Sequence, residues 1–151
     1  MIAWRLLKTR HLADAFTGEG ARAYGGRWNG PGTRVVYCAE HVSLAVLEVL
    51  VHLEHSAPLR AYSLIRVDVP DAGIEWLARE TLPATWNAYP APPATRRIGD
   101  AWVASRRSLA LAVPSVLVPG EHNFLLNPAH PDFRRVSRKK PRPFLFDARL
   151  L

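Results

Sequence analysis

A chain of 151 residues with 48% hydrophobic side chains has the length of one domain and enough apolar content for one core, burying roughly 68–70% of its unfolded surface. Its single cysteine, Cys38, excludes an internal disulfide, charge interrupts residues 1–8 too early for a signal peptide, and no apolar run is long enough to span a bilayer. A soluble cytoplasmic protein is expected, and its net charge of +7 attracts anions: nucleotides, nucleic acid or an acidic protein.

Residues 2–7 read as a strand and residues 9–16 as a short helix or turn. A stretch dense in glycine, aromatics and arginine follows, Ala15 to Asn29, with Arg22, Tyr24, Arg27 and Trp28 among its residues. Glycine lets backbone bend sharply and approach a ligand, guanidinium forks match phosphate or carboxylate, and aromatic faces stack on rings. That combination suits a nucleotide. Residues 34–38 are β-branched and short, bounded by Pro31-Gly32, and predict a strand.

Over residues 39–55, Val42, Ala45, Val46, Val49, Leu50 and Leu53 recur at the spacing of a core-facing helix. On that helix Glu48 shares the opposite face with Leu44, His52 and His55. Residues 59–69 alternate as a strand. Residues 70–97 are proline-rich and carry Trp76, Trp86 and Tyr89, which predicts an excursion packed down by aromatics. A second helix is expected over 99–109, with Trp102, Arg106 and Leu109 on one stripe, and strands over 111–118, 123–126, 132–136 and 143–146. Strands in runs with few helices between them argue a single α+β domain over residues 1–151 with a mostly antiparallel sheet.

Each candidate residue has a plain structural reading. Glu48 fits an exposed helix glutamate, and Arg27 fits a tie from its loop to a carbonyl, Asp14 or Glu19. Tyr37 fits the core, Ser115 after Pro114 fits a turn former, and Asn123 and Asn127 fit turn or cap residues. Glu48, His52 and His55 share a helical face with His41 two turns earlier, yet the glutamate does not sit in the His-Glu-x-x-His spacing, so no metal is expected. The basic run 134–142 reads as a solvated sheet edge guarded by lysine and proline, or as a nucleic-acid patch. No stacking aromatics interleave it.

Six strings in order bear a likeness: Gly-Gly-Arg27-Trp-Asn, the helix around Glu48, Val-Pro-Ser115, Ile98-Gly99-Asp100-Ala101-Trp102, Asn123-Phe-Leu-Leu-Asn127-Pro128 and Phe146-Asp147-Ala148-Arg149-Leu150. Together they resemble a RES-domain toxin, the NAD-degrading half of a bacterial toxin–antitoxin pair, over nearly the whole chain. The resemblance implies an ADP-ribosyltransferase-like split sheet and NAD as substrate. It also implies a partner, an Xre-like DNA-binding antitoxin that occludes the active site, with DNA reached only through that antitoxin. Carried onto this sequence, it implies Arg27, Glu48 and Ser115 as the catalytic set, and Arg27, Trp28, Tyr37 and Asn123 as substrate contacts. Glu48 would stand beside the ribose, Arg27 would contact the phosphate or ribose side of NAD, and Tyr37 would stack on nicotinamide. Ser115 would position the substrate or Glu48. The implied reaction breaks the nicotinamide–ribose bond, with water, inorganic phosphate or a protein as acceptor. The alternatives are a protein ADP-ribosyltransferase and a non-enzymatic nucleic-acid-binding module.

Overall fold

The β-branched and apolar segments join in one eight-stranded sheet in the computed structural model, which describes residues 1–53 and 61–150. The strands are β1 (Ile2–Lys8), β2 (Val36–Ala39), β3 (Tyr62–Asp68), β4 (Ile74–Trp76), β5 (Ala110–Pro114), β6 (His122–Leu126), β7 (Ser137–Arg138) and β8 (Arg142–Phe144). Their order is β4-β5-β6-β2-β1-β3-β7, with β8 also on β3. Every pairing is antiparallel except β4 with β5. β1 pairs with β3 along its full length, from Ile2 opposite Asp68 to Lys8 opposite Tyr62. It meets β2 only at Trp4 opposite Ala39, so the sheet opens between these two central strands. The fold is α+β with a mostly antiparallel sheet, as the run of strands implies.

Period-two alternation divides the core between the sheet's two faces. Ala110, Ala112, Phe124 and Leu126 join Val36, Cys38 and Val67 on one side, covered by Leu12 from the 3-10 turn after β1 and by Phe16 just beyond it. Leu111, Val113 and Leu125 point the other way, beneath Trp28, Trp86 and Trp102. The helices are α1 (Glu19–Tyr24), α2 (Val42–Val51) and α3 (Pro93–Ser105). None of the described helices is long and apolar enough to cross a membrane.

Four expectations change. The glycine-rich stretch contains α1, because Glu19 to Tyr24 closes one short helix between two left-handed glycines. α2 is shorter than 39–55 and buries Leu44 and Ala45 against Leu6 and Leu117, so the side carrying Leu44 and Glu48 is turned inward rather than to solvent. His55 and the first residues of the expected strand 59–69 lie outside the described residues. α3 begins at Pro93, whose fixed φ suits a first helical position, and ends before Leu109, which is buried in the sheet's core. Residues 132–136 lie in a 3-10 turn, Pro131–Arg135, and the edge strand β7 comes after it.

Candidate functional site

The gap between β1 and β2 opens into a cleft of about 1040 Å³ walled by the sheet, α2, the glycine-rich loop and the segment before α3. Glu48 projects into it from α2, and Asn123 of β6 donates from Nδ2 to Glu48 Oε1 at 2.6 Å. A side-chain amide so close to a carboxylate fixes its orientation and leaves the second oxygen for a ligand. Among the described residues that line the cleft, Glu48 is the one carboxylate, whereas Arg27 and Arg96 both reach it. Burial lowers the pKa of the Arg27 guanidinium, and the charge of Glu48 opposes that effect. Arginine remains a cation throughout the physiological range.

Arg27 also braces the opposite wall, its Nη1 donating to the carbonyls of Trp86 at 2.8 Å and Ala88 at 2.9 Å. The tie to a carbonyl expected from the sequence is therefore made, across about sixty residues of chain rather than within the loop. Trp28 is buried and stacks on Trp86 with ring centroids 6.4 Å apart, joining the same two walls by apolar contact. Tyr37 lines the cleft while its hydroxyl donates to Asn29 Oδ1 at 2.7 Å and accepts from the Trp28 amide at 3.3 Å. Burial pushes the Tyr37 phenol well up, only partly offset by that amide, so it stays a neutral donor.

Polar bonds to backbone hold the loop itself. Asn29 is fully buried, and its Nδ2 lies within hydrogen-bond distance of the carbonyls of Ala21, Gly30 and Thr33 at 2.9–3.1 Å. From α3, Asp100 accepts from the Gly30 amide at 3.0 Å and Arg96 donates from Nε to Gly26 O at 3.1 Å. Between them Gly99 lies flat against the loop: a Cβ there would stand 1.6 Å from the Trp28 carbonyl oxygen. The string Ile98-Gly99-Asp100 is thus the helix side of a clamp on the loop. Gly26 is constrained from the other side, since a Cβ there would lie 2.7 Å from the Tyr37 hydroxyl.

Of the residues singled out in the sequence, Arg27, Trp28, Tyr37, Glu48 and Asn123 meet at this cleft. Ser115 stands behind the wall. It is buried, its Oγ accepts from the Leu117 and Val118 amides at 3.1 Å, and its neighbours Pro114, Val116 and Leu117 line the cleft. Arg22 and Tyr24 stand away from it, Arg22 paired with Glu19 and Tyr24 exposed. Asn127 is buried, its Nδ2 donating to Val103 O and so tying α3 to the sheet. On α2, His52 Nδ1 lies 2.7 Å from the Glu48 carbonyl oxygen, and His41 pairs with Glu121 instead. No group of three or more potential metal-ligating His, Cys, Asp or Glu side chains forms among the described residues.

Sequence reasoning missed Asn29, Arg96 and Asp100 as individuals, although Asn29 and Asp100 stand inside the quoted strings. It also missed Arg5, which donates from Nη1 to the Tyr37 carbonyl at 2.6 Å and lies among the residues lining the cleft, where burial lowers its pKa. An arginine in an apolar strand was the available signal for that last residue.

This fold and cleft define a class. The RES domain family model matches residues 2–147, and the chain belongs to that family. Among full-length relatives, Toxin Res of Yersinia enterocolitica serotype O:8 / biotype 1B is 44% identical over 151 residues, covering 99% of each chain. The Prs ADP-ribosylating toxin of Sphingobium sp. (strain YBL2) is 43% identical over 98% of this chain and 95% of its own. The toxin–antitoxin complex MbcT–MbcA of M. tuberculosis, solved by crystallography, contains the same fold, with a TM-score of 0.78 and 20% identity over 95% of this chain and 83% of that one.

Proposed function

We propose that this protein is the toxin of a toxin–antitoxin pair and that it breaks the nicotinamide–ribose bond of NAD. The observation that carries the reading is one fixed carboxylate, Glu48 on Asn123, the only one among the described residues that line a cleft shared with Arg27, Arg96 and Tyr37. Cleavage of that bond sends its electron pair to the pyridinium nitrogen, so nicotinamide leaves neutral and needs no general acid. Positive charge develops at the ribose C1′, where one carboxylate stabilises it. The acceptor then bonds to C1′, and a water acceptor releases one proton to solvent. Arg27 contacts the phosphate or ribose side, and Tyr37 offers its ring to nicotinamide. Ser115 acts as a positioning residue, holding the turn after β5 against the cleft wall.

We favour water or inorganic phosphate as the acceptor, with NAD depletion in a cytoplasmic setting as the growth-arresting effect. The relative that is named an ADP-ribosylating toxin favours a second reading, transfer to a protein. The MbcT–MbcA complex supports an antitoxin partner. An Xre-like antitoxin would block the cleft and supply the contact with DNA.

Glu48→Gln keeps size and helix propensity while removing the charge, so nicotinamide release should fall by orders of magnitude with an unchanged melt. Near wild-type release from that variant would remove the carboxylate mechanism. Three incubations with NAD separate the acceptors. Phosphate that accelerates release and yields phosphorylated ADP-ribose identifies phosphorolysis; indifference to phosphate identifies water; label on a macromolecule after addition of lysate identifies protein transfer. No release in any of them, with salt-sensitive binding to nucleic acid, would support the binding-module reading.

A further inference from the structure

The cleft is larger than its reacting end requires. Ligand pockets for drug-sized molecules run to ~300–1,000 Å³, and this one, about 1040 Å³, extends from Glu48 along the wall of residues 87–91 to the start of α3. Two features of that wall are not fully accounted for by the fold. Arg96 spends Nε on Gly26 O and forms no ion pair among the described residues. By contrast, Arg22, Arg34, Arg66, Arg107 and Arg149 each engage a carboxylate. The acid one turn along α3, Asp100, is committed to the Gly30 amide. Tyr89 lines the cleft yet is 94% exposed, with no aromatic partner among the described residues. Trp86, on the same segment, is packed inward against Trp28. Because Arg27 anchors the carbonyls of Trp86 and Ala88, the segment presents Tyr89 from a fixed base.

We propose that Arg96 and Tyr89 form the subsite for the ADP half of the substrate, Arg96 binding the diphosphate and Tyr89 stacking on the adenine. A guanidinium with no carboxylate partner offers its remaining N–H groups to phosphate oxygens without first breaking an ion pair. An exposed phenol ring at a cleft edge gains burial by covering a purine. The inference rests on the reading of the cleft as an NAD site, and it makes this wall the part that separates NAD from smaller nicotinamide nucleosides and nucleotides.

Three substrates test it: NAD, nicotinamide mononucleotide, which lacks the adenosine phosphate, and nicotinamide riboside, which lacks both phosphates. Tyr89→Ala removes a ring that supports nothing else, so the melt should hold. The kcat/KM preference for NAD over the mononucleotide should shrink about fivefold or more, through KM, in line with base stacking on an aromatic side chain. Arg96→Gln should shrink the preference of both phosphorylated substrates over the riboside. A merely structural loss of the Gly26 tie would instead lower all three substrates together, and unchanged preferences in both variants would overturn the subsite. Calorimetric binding of ADP-ribose gives a readout free of chemistry: tight in the wild type and weakened in each variant. Should the wild type release no nicotinamide from any substrate, the proposed reaction fails, and ADP-ribose binding alone decides the subsite, its absence overturning it.

Discussion

The cleft and the C-terminal edge of the sheet are both rich in cations, yet they use them differently. Along the edge, Arg135 pairs with Asp132, Lys139 pairs with Asp68, Arg138 lies over the rings of Phe16 and Phe133 at 4.4 and 5.0 Å, and Arg142 lies over Trp4. In the cleft, Arg27 and Arg96 bond to backbone carbonyls and form no ion pair among the described residues. Carbonyl bonds orient a guanidinium without neutralising it, whereas pairing with a carboxylate or covering a ring consumes its charge or its face. On the edge Arg134 and Lys140, both exposed, are left without such a partner among the described residues, whereas in the cleft the guanidinium groups of Arg27 and Arg96 are oriented and uncompensated, so charge density along the sequence does not mark where the oriented cations lie.

The largest loss is expected at the clamp that holds the cleft cations in place. Gly99→Ala puts a methyl into the Trp28 carbonyl, a backbone atom that no rotamer change can move. α3 must lift from the loop, at a cost of about 3–5 kcal/mol. The melting temperature should fall by roughly 10 °C for a domain of this size, and nicotinamide release should fall with it. A wild-type melt would mean that α3 and the loop do not meet as described.

Arg27→Lys asks whether orientation or mere charge matters in the cleft. A single ammonium cannot hold both wall carbonyls and still present a fork to the substrate. Release should drop about tenfold or more with little change in the melt, measured on one preparation. Full activity with lysine would reduce Arg27 to bulk charge.

Arg27 and Glu48 show how far the sequence alone reaches. The sheet, its antiparallel character and α2 follow from period-two and helical spacing, which are local properties. Arg27 stood out in its glycine- and aromatic-rich stretch, whereas Glu48 came from resemblance, because in pattern alone it looks like a solvent-facing helix residue. The reason is that α2 buries Leu44, on the face assigned to solvent, together with Ala45 of the expected stripe, while Val46, Val49 and Leu50 are only half-buried, so the buried face is rotated towards Glu48. The start of α3 was hidden in a proline-rich stretch whose Pro93 opens the helix instead of breaking it. The bonds from Asn29, Arg96 and Asp100 join segments far apart in the chain, and no local period encodes them.

A smaller effect comes from a buried thiol in the core of the sheet. Burial pushes the Cys38 thiol up to about 11 from its ordinary 9.0, so the fold holds the neutral thiol. The unfolded chain ionises first, so this contribution is fully present below about pH 9 and is lost as pH rises towards 11. By pH 10 it should lower stability by about 1 kcal/mol, and Cys38→Ala should remove that part of the alkaline slope. Denaturant unfolding at pH 8 and pH 10 measures the difference. An equal slope in both proteins would mean that the thiol ionises freely in the folded state.

The smallest expected effect lies on the basic edge, and it completes the contrast. Arg134 and Lys140 are exposed and form no ion pair among the described residues, so replacing both with serine should change stability by less than about 0.5 kcal/mol. Release of nicotinamide should be unaltered, since neither residue lines the cleft. Arg138→Ala, between them in sequence but stacked on two rings, should cost about 0.5–1 kcal/mol by losing those contacts. Urea unfolding of the two variants beside the wild type ranks them. If the double serine variant lost as much as Arg138→Ala, the edge cations would be contributing through their summed field instead of through individual partners, and the distinction drawn between edge and cleft would not hold.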